Sequence, residues 1–296
     1  MKKLLITGSS GFLGWNCCRN AASLYDVIGV YNSHERQVSG IHYLKGDITN
    51  KDDLKRLLDI SEPEIVLHTA AVAAPNRCEE EPVYSHKVNV EASIMLAGLC
   101  SKHSVKFVFT SSDQVFSGKE APYTESAPVA PLNTYGKQKA EAEIGIAEKC
   151  PCAAICRMPL MFGDAPSGTT SFIIPWIDTL RKGTELNLFT DEMRTPVSAR
   201  DAAKGLLLAA EKITGIVHLG GKERLSRYEM GIRLSEAAGF TTNSIKGCKQ
   251  SEIKMAAARP LDVSMDSSKA FAAGYDPGLF IDELRYLNVI QANFGV

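Results

Sequence analysis

The 296-residue chain predicts an α/β fold: a doubly wound parallel sheet covered by helices on both faces. Three features of the sequence predict it. The β-type segments are continuously apolar rather than alternating, as strands buried on both faces must be. They alternate with helix-compatible stretches again and again through the first half of the chain. The first strand also runs straight into Gly8, Gly11 and Gly14, spaced G-x-x-G-x-x-G, before a helix begins.

A βα turn of that kind suits a dinucleotide pyrophosphate. Gly8 takes the tight turn and Gly11 lets the backbone approach the phosphates. Gly14 lets the helix pack close to the strand, and the helix opens with Phe12 and Leu13, its N–H-rich end facing the anion. A glycine-rich turn without a ligand shares the spacing, so the position directly after a strand carries the reading. The helix is expected from about Phe12 to Leu24 and the second strand from Asp26 to Tyr31. An acid at the end of that strand would accept from the ribose 2′-hydroxyl of NAD and repel the 2′-phosphate of NADP. The chain has Asn32, Ser33 and Arg36 there instead. Asn32 and Ser33 can donate and Arg36 can reach a phosphate, which favours NADP over NAD, unless Arg36 is only a solvated loop charge.

The third strand, Ile41 to Leu44, leads to Gly46, Asp47 and Ile48, then to a charged helix from Asn50 to Ile60. Asp47 can accept from an adenine amino group while Ile48 covers the ring; the alternative is an acidic turn beside a helix N-cap. The fourth strand, Glu64 to His68, ends in Thr69, Ala70, Ala71 and Val72, small residues that leave room for a ligand crossing the sheet's carboxyl edge. His68 reads as a packed strand histidine. A long helix from Pro82 to Lys102 places Asn89 inward, and a fifth strand, Val105 to Thr110, ends in Ser111, Ser112, Asp113 and Gln114.

Bulk properties narrow the partners. Lys plus Arg (33) against Asp plus Glu (34) leaves a net charge of -1, with no basic excess to suggest nucleic acid or an anionic membrane. No apolar run reaches the length of a membrane span, and the first residues enter a strand with no signal-peptide core, so a cytoplasmic protein is expected. The eight cysteines read as reduced thiols; the closest cluster, Cys150, Cys152 and Cys156, lacks paired C-x-x-C or histidine partners and reads as buried thiols rather than a metal site.

Tyr135 and Lys139 stand four apart in a helical segment and share one face. An ammonium beside a phenol stabilises phenolate and lowers its pKa, which suits proton exchange with a carbonyl or alcohol oxygen. Y-x-x-x-K alone means little; it gains weight from the hydroxyl of Ser112 at the end of a strand and from the glycine run upstream.

With these pieces in this order, the chain resembles the extended short-chain dehydrogenases/reductases. Within them it is most similar to the dTDP-4-dehydrorhamnose reductase family. Ser111 to Gly118 (S-S-D-Q-V-F-S-G) is similar to that family's S-T-D-Y-V-F-D-G, and Tyr135-Gly136-Lys137-Gln138-Lys139 follows. Arg194 to Asp201 matches R-T-P-x-x-x-R-D, and Arg259 to Lys269 resembles R-P-x-x-x-x-L-D-x-x-K. The resemblance implies a Rossmann-type doubly wound parallel sheet with a smaller C-terminal α/β substrate lobe. It implies NADPH- or NADH-dependent reduction of a nucleotide-linked keto sugar, with Ser112 in the place of a catalytic Thr, Tyr135 as proton donor and Lys139 on the nicotinamide ribose. Two residues depart from the pattern: Gln114 replaces a Tyr, and Leu160 stands where relatives carry a Trp, so an aromatic platform for the sugar is missing.

The expected division is a dinucleotide-binding domain over residues 1–158, with 195–220 returning to it, and a substrate lobe of 159–194 and 221–296. Helices are expected at Phe172 to Lys182, Asp201 to Lys212 and Arg227 to Ala238, a strand at Gly215 to Leu219, and a turn and amphipathic helix from Asp276 to Val296. Asp113 and Leu160 would face the sugar. Arg194 and Arg259 are candidate clamps for a substrate diphosphate, with structural ion pairs at the lobe boundary as the alternative. The expected partner is a nucleotide sugar, and a homodimer is compatible with the chain. Two rivals share the fold. One is a sugar-nucleotide epimerase or dehydratase, against which Gln114 counts, since dehydratases carry an acid there. The other is a non-catalytic NADP-binding regulatory subunit, like the methionine adenosyltransferase β subunit.

Overall fold

Seven strands form one wholly parallel sheet: β1 (Lys3–Thr7), β2 (Asp26–Tyr31), β3 (His42–Lys45), β4 (Ile65–His68), β5 (Lys106–Ser112), β6 (Ala154–Met158) and β7 (Gly215–His218). The computed structural model describes residues 1–169 and 171–291. The strand order is β7-β6-β5-β4-β1-β2-β3, so the winding reverses between β1 and β4, where Thr7 stands in register with His68. Crossover helices diverge at that point, and the carboxyl ends of the strands open a crevice.

The helices are α1 (Phe12–Ala21), α2 (Lys51–Ser61), α3 (Ala92–Lys102), α4 (Thr134–Lys149), α5 (Ile173–Arg181), α6 (Ala199–Lys212) and α7 (Arg227–Ala238), with shorter turns between them. Cys17, Cys18 and Ala21 of α1 pack with Ala202, Leu206 and Ala210 of α6 on one face of the sheet. Leu54, Leu57, Leu96 and Ile146, from α2, α3 and α4, cover the other. A separate apolar cluster joins Ile173 and Ile177 of α5, Met230 and Leu234 of α7, and Phe280 and Leu284 of the helix Phe280–Arg285.

Several elements differ from the sequence expectation. Helix α1 stops at Ala21 and the chain turns before Leu24. β5 runs two residues further than expected, through Ser112. The helical stretch from Pro82 to Lys102 is continuous, as expected, but not regular: Pro82–His86 passes through a π turn, Lys87–Glu91, into α3. The wide turn coincides with a side-chain commitment. Buried Asn89 accepts from Val72 N at 2.8 Å, donates to Val72 O at 3.1 Å, and donates to Gln138 Oε1 on α4 at 2.8 Å. Such bulges aim a residue that a regular helix would turn away. All eight cysteines are free thiols; in the cluster expected to be buried, Cys150 and Cys156 are, but Cys152 is exposed. The expected C-terminal helix is two short ones, Phe280–Arg285 and Asn288–Gln291, and its remainder, 292–296, lies outside the described residues. No helix among the described residues is long and apolar enough to cross a membrane.

His68 sits at the centre of the sheet, fully buried. Its ring nitrogens meet Thr7 Oγ1 at 2.7 Å and Ser93 Oγ at 3.0 Å, and its ring stacks near Phe107 and Phe109. Burial, reinforced by the Lys139 ammonium, pushes its pKa down to about 3. The native state therefore holds this histidine neutral while the unfolded chain protonates it from about pH 6.5 downwards. Its contribution is fully present above that pH and lost progressively as pH falls towards the folded value, at up to about 1.4 kcal/mol per pH unit. Chemical denaturation between pH 7 and pH 4 is expected to show this slope, and His68→Gln is expected to reduce it; an unchanged slope in the variant would contradict the assignment.

Candidate active site

The glycine run closes the α1 amino end onto the sheet. Gly8 has φ +71°, and a Cβ there would lie 2.7 Å from the Ala70 backbone. A Cβ on Gly14 would lie 2.2 Å from Gly8 O, so helix and turn touch at backbone distance. No side chain caps α1 at Gly11, which leaves its first N–H groups directed into the crevice.

That crevice is a trench with three parts. The first, about 400 Å³, is walled by Gly8, Gly11, Asn32, Asp47, Ile48, Ala70, Ala71 and Val72, together with Ser33 and His34. The second, about 210 Å³, shares Gly8, Gly11 and Ala71 with the first and adds Phe12, Leu13, Gly14, Ser112, Tyr135 and Lys139. The third, about 290 Å³, shares Phe12, Ser112 and Tyr135 with the second and adds Asp113, Leu160, Arg194, Arg227 and Arg259. The candidate residues named from sequence thus line one continuous trench, with one exception. Arg36 does not line the first part; its Nη1 donates to Ser10 O above the glycine turn, and its other end approaches Gly168. Asp47 is partly committed as well, since its Oδ1 accepts from Thr49 N at 2.9 Å and Thr49 Oγ1 at 2.8 Å, an acidic turn beside the Asn50 cap of α2.

The α4 helix begins at a cap in which Asn133 Oδ1 accepts from Gly136 N at 2.9 Å, and Thr134 is held by Glu79. Tyr135, Lys139 and Glu143 follow at intervals of four, one stripe along the buried face. Lys139 is 1 % exposed; its ammonium donates to Thr110 O at 2.8 Å and lies 4.6 Å from the Phe109 ring centre. Burial lowers its pKa to about 8, against the pull of Glu143 and Cys78. It stands 5.9 Å from the Tyr135 ring centre, and the Ser112 hydroxyl pulls the phenol down. Burial outweighs that pull and raises the phenol above its ordinary value, so Tyr135 stays protonated here, contrary to the lowered pKa expected from the lysine alone. Ser112 Oγ donates to Asp113 Oδ1 at 3.1 Å and accepts from Gln114 N at 3.2 Å. Burial raises Asp113 to about 6 despite Arg194.

Arg194 is engaged in the fold. It donates to the carbonyls of Met193 (2.7 Å) and Pro260 (3.2 Å) and pairs with Glu192 at 3.4 Å and Asp113 at 3.8 Å, all three charged side chains being buried. Arg259 donates to Asn76 Oδ1 at 3.0 Å. Sequence reading missed Glu143, Glu192 and Arg227. Glu143 had a signal, the continuation of the i, i+4 stripe; the pairing of Glu192 with Arg227 had none, because 35 residues of chain separate them. No group of three or more His, Cys, Asp or Glu suited to a metal occurs among the described residues. Removing one partner of a buried ionic cluster leaves the rest uncompensated, at a cost of about 3–5 kcal/mol. Arg194→Met is therefore expected to lose stability of that order in urea denaturation, whereas a guanidinium serving only a ligand would leave stability unchanged.

The matches to known proteins follow this geometry. The family model described as RmlD substrate binding domain matches residues 1–280. The methionine adenosyltransferase 2 subunit beta of Danio rerio is 25 % identical over 298 residues, covering 98 % of this chain and 89 % of that protein. A protein of Haloferax volcanii named probable low-salt glycan biosynthesis reductase Agl14 is 29 % identical over 271 residues, covering 89 % of each. A solved structure from Sulfolobus tokodaii, titled hypothetical dTDP-4-dehydrorhamnose reductase, is 30 % identical with a TM-score of 0.83, covering 95 % of this chain and 98 % of that one. With the family model spanning all but the last residues and the same fold in that structure, the chain belongs to the RmlD substrate binding domain family, a group of extended short-chain dehydrogenase/reductase-like proteins.

Proposed function

We propose that this protein reduces a nucleotide-linked keto sugar with NADPH, and that Tyr135 delivers the proton. The observation that carries the reading is the place of Tyr135: it lines both the second and third parts of the trench, beside Ser112, where a dinucleotide and a substrate would meet. The trench fits the cofactor on its own evidence, since the uncapped α1 amino end and the close Gly8–Gly14 packing form an anion cradle. Gly8, Gly11 and Phe12 to Gly14 would hold the pyrophosphate, Asp47 and Ile48 the adenine, Ala70 to Val72 the passage across the sheet, and Lys139 the ribose. Bound there, the reduced nicotinamide supplies a hydride to the keto carbon.

The chain's own part is proton supply and orientation. A buried, protonated phenol can donate to the alkoxide oxygen as it forms, and Ser112 can turn its hydroxyl from Asp113 to the same oxygen. The Lys139 ammonium, fixed against Thr110 O, favours the phenolate left behind. NADPH rather than NADH is supported by the absence of an acid at Asn32 and Ser33. A second reading, a subunit acting through a partner enzyme, is favoured by the relatives named methionine adenosyltransferase 2 subunit beta.

Tyr135→Phe is expected to bind NADPH as the parent protein does while losing roughly 10²- to 10⁴-fold in turnover. Turnover is followed by NADPH oxidation with dTDP- and UDP-linked 4-keto sugars. Full activity in the variant would remove the proton-donor role. A blank screen with a stable complex isolated from lysate would favour the subunit reading. Fluorescence titration is expected to give tighter binding of NADPH than of NADH, and the reverse order would refute the cofactor assignment.

A further inference from the structure

Cys150 and Cys152 meet across a closed turn between the end of α4 and the start of β6, with their sulfur atoms 3.7 Å apart. The backbone on either side is fixed. Cys150 N donates to Ile146 O at 2.8 Å, completing the last turn of α4. Ala153 N donates to Cys150 O at 2.9 Å, closing a turn that has Pro151 in its second position. Lys106, the first residue of β5, donates its ammonium to Cys152 O at 2.8 Å and to Ile213 O at 2.6 Å, so the turn is tied to β5 and to the segment leading into β7. With the backbone held, side-chain rotation is what separates this contact from the roughly 2.0 Å of a disulfide bond.

The two thiols differ in access. Cys152 is exposed, whereas Cys150 is fully buried in the cluster that holds Ile146, Ala153 and Ile155. A reagent from solvent therefore meets Cys152, and Cys150 meets what Cys152 carries. Burial and the adjoining Cys152 raise the Cys150 thiol to about 11, against the pull of the Lys106 ammonium, which keeps it unreactive on its own. Once Cys152 is bound in a mixed disulfide it can no longer ionise, and one of those two causes disappears.

We propose that Cys150 and Cys152 form a thiol–disulfide exchange site whose reactant is a low-molecular-weight disulfide of the glutathione class. The Cys152 thiolate attacks one sulfur of that disulfide, forming a mixed disulfide and releasing one thiol. The Cys150 thiolate then attacks Cys152 Sγ, forming the Cys150–Cys152 bond and releasing the second thiol. Two protein thiols are oxidised, one small disulfide is reduced, and the two protons leave on the released thiols. The bond encloses only Pro151 between the cysteines, so it restrains little of the unfolded chain and belongs to the readily reduced kind. The turn lies at the amino edge of the sheet, opposite the trench, so the exchange needs neither cofactor nor substrate.

Peptide mapping after incubation with oxidised glutathione tests it, with iodoacetamide added under denaturing conditions to mark the remaining thiols. The tryptic peptide Cys150–Arg157 is expected to lose two hydrogen atoms and to carry a label on Cys156 alone, and dithiothreitol should restore the labels on Cys150 and Cys152. Cys150→Ser should stop at a stable glutathione adduct on Cys152. Cys152→Ser, a change at an exposed position, should show no reaction at Cys150. If Cys150→Ser does not fold, the parent peptide and Cys152→Ser decide the case. A glutathione adduct that persists on Cys152 of the parent protein, an adduct on Cys150 in Cys152→Ser, or an unmodified parent peptide would overturn the inference. So would a bond from either cysteine to Cys100, the buried thiol of α3 that lies within electrostatic reach of both.

Discussion

One buried ion pair holds the helix that carries Tyr135 and Lys139. Glu143, on the same stripe of α4, accepts from Arg157 Nε at 3.0 Å and Nη2 at 2.8 Å, and also from the Ser111 hydroxyl at the end of β5. Arg157 belongs to β6, meets His218 on β7 at 3.4 Å, and lies 5.0 Å from the Phe116 ring centre. Three neighbouring strands are thus tied to a single carboxylate. Such a pair gains little net stability over a well-packed apolar core, because desolvation consumes much of its attraction. Its value here is registry. Tyr135 lies two helical turns from Glu143, so a shift of α4 along the sheet would break the pair and move the phenol together.

Burial governs the rest of the trench. A charge removed from water must be paired or neutralised, and the fold around the trench uses both solutions. His68 and His218 are kept neutral, with pKa values lowered to about 3 and about 4 chiefly by burial. Glu192 is pushed up by burial but pulled lower still by Arg194 and Arg227. Asp113, at about 6, lies between those cases: one oxygen accepts from Ser112 while the other faces Arg194 at 3.8 Å. The cavity therefore presents a neutral phenol and a carboxyl that titrates near neutrality, with Arg227 and Arg259 in its wall.

Features carried by short stretches of chain were legible in the sequence. The glycine run, the continuous apolar strands and the i, i+4 relation of Tyr135 and Lys139 each depend on backbone geometry within a few residues, and their residue types are demanded by that geometry. The parallel sheet and the trench floor followed from them. The π turn at Lys87–Glu91 was not legible, because it is associated with contacts from Asn89 to Val72 and Gln138, far away in sequence.

The sequence by itself determined the fold class and the order of the candidate groups, since local periodicity and turn chemistry act before any distant contact forms. Tertiary structure decided what each charged side chain does. Arg194 and Arg227 are alike as letters, yet Arg194 meets Asp113 and the carbonyls around Pro260, while Arg227 pairs with Glu192 and stacks near Phe172. Arg36 reaches Ser10 O instead of the ribose end of the trench. Long flexible cations take their roles from whichever acceptors the folded chain brings within about 3–4 Å, and those acceptors come from residues remote along the chain.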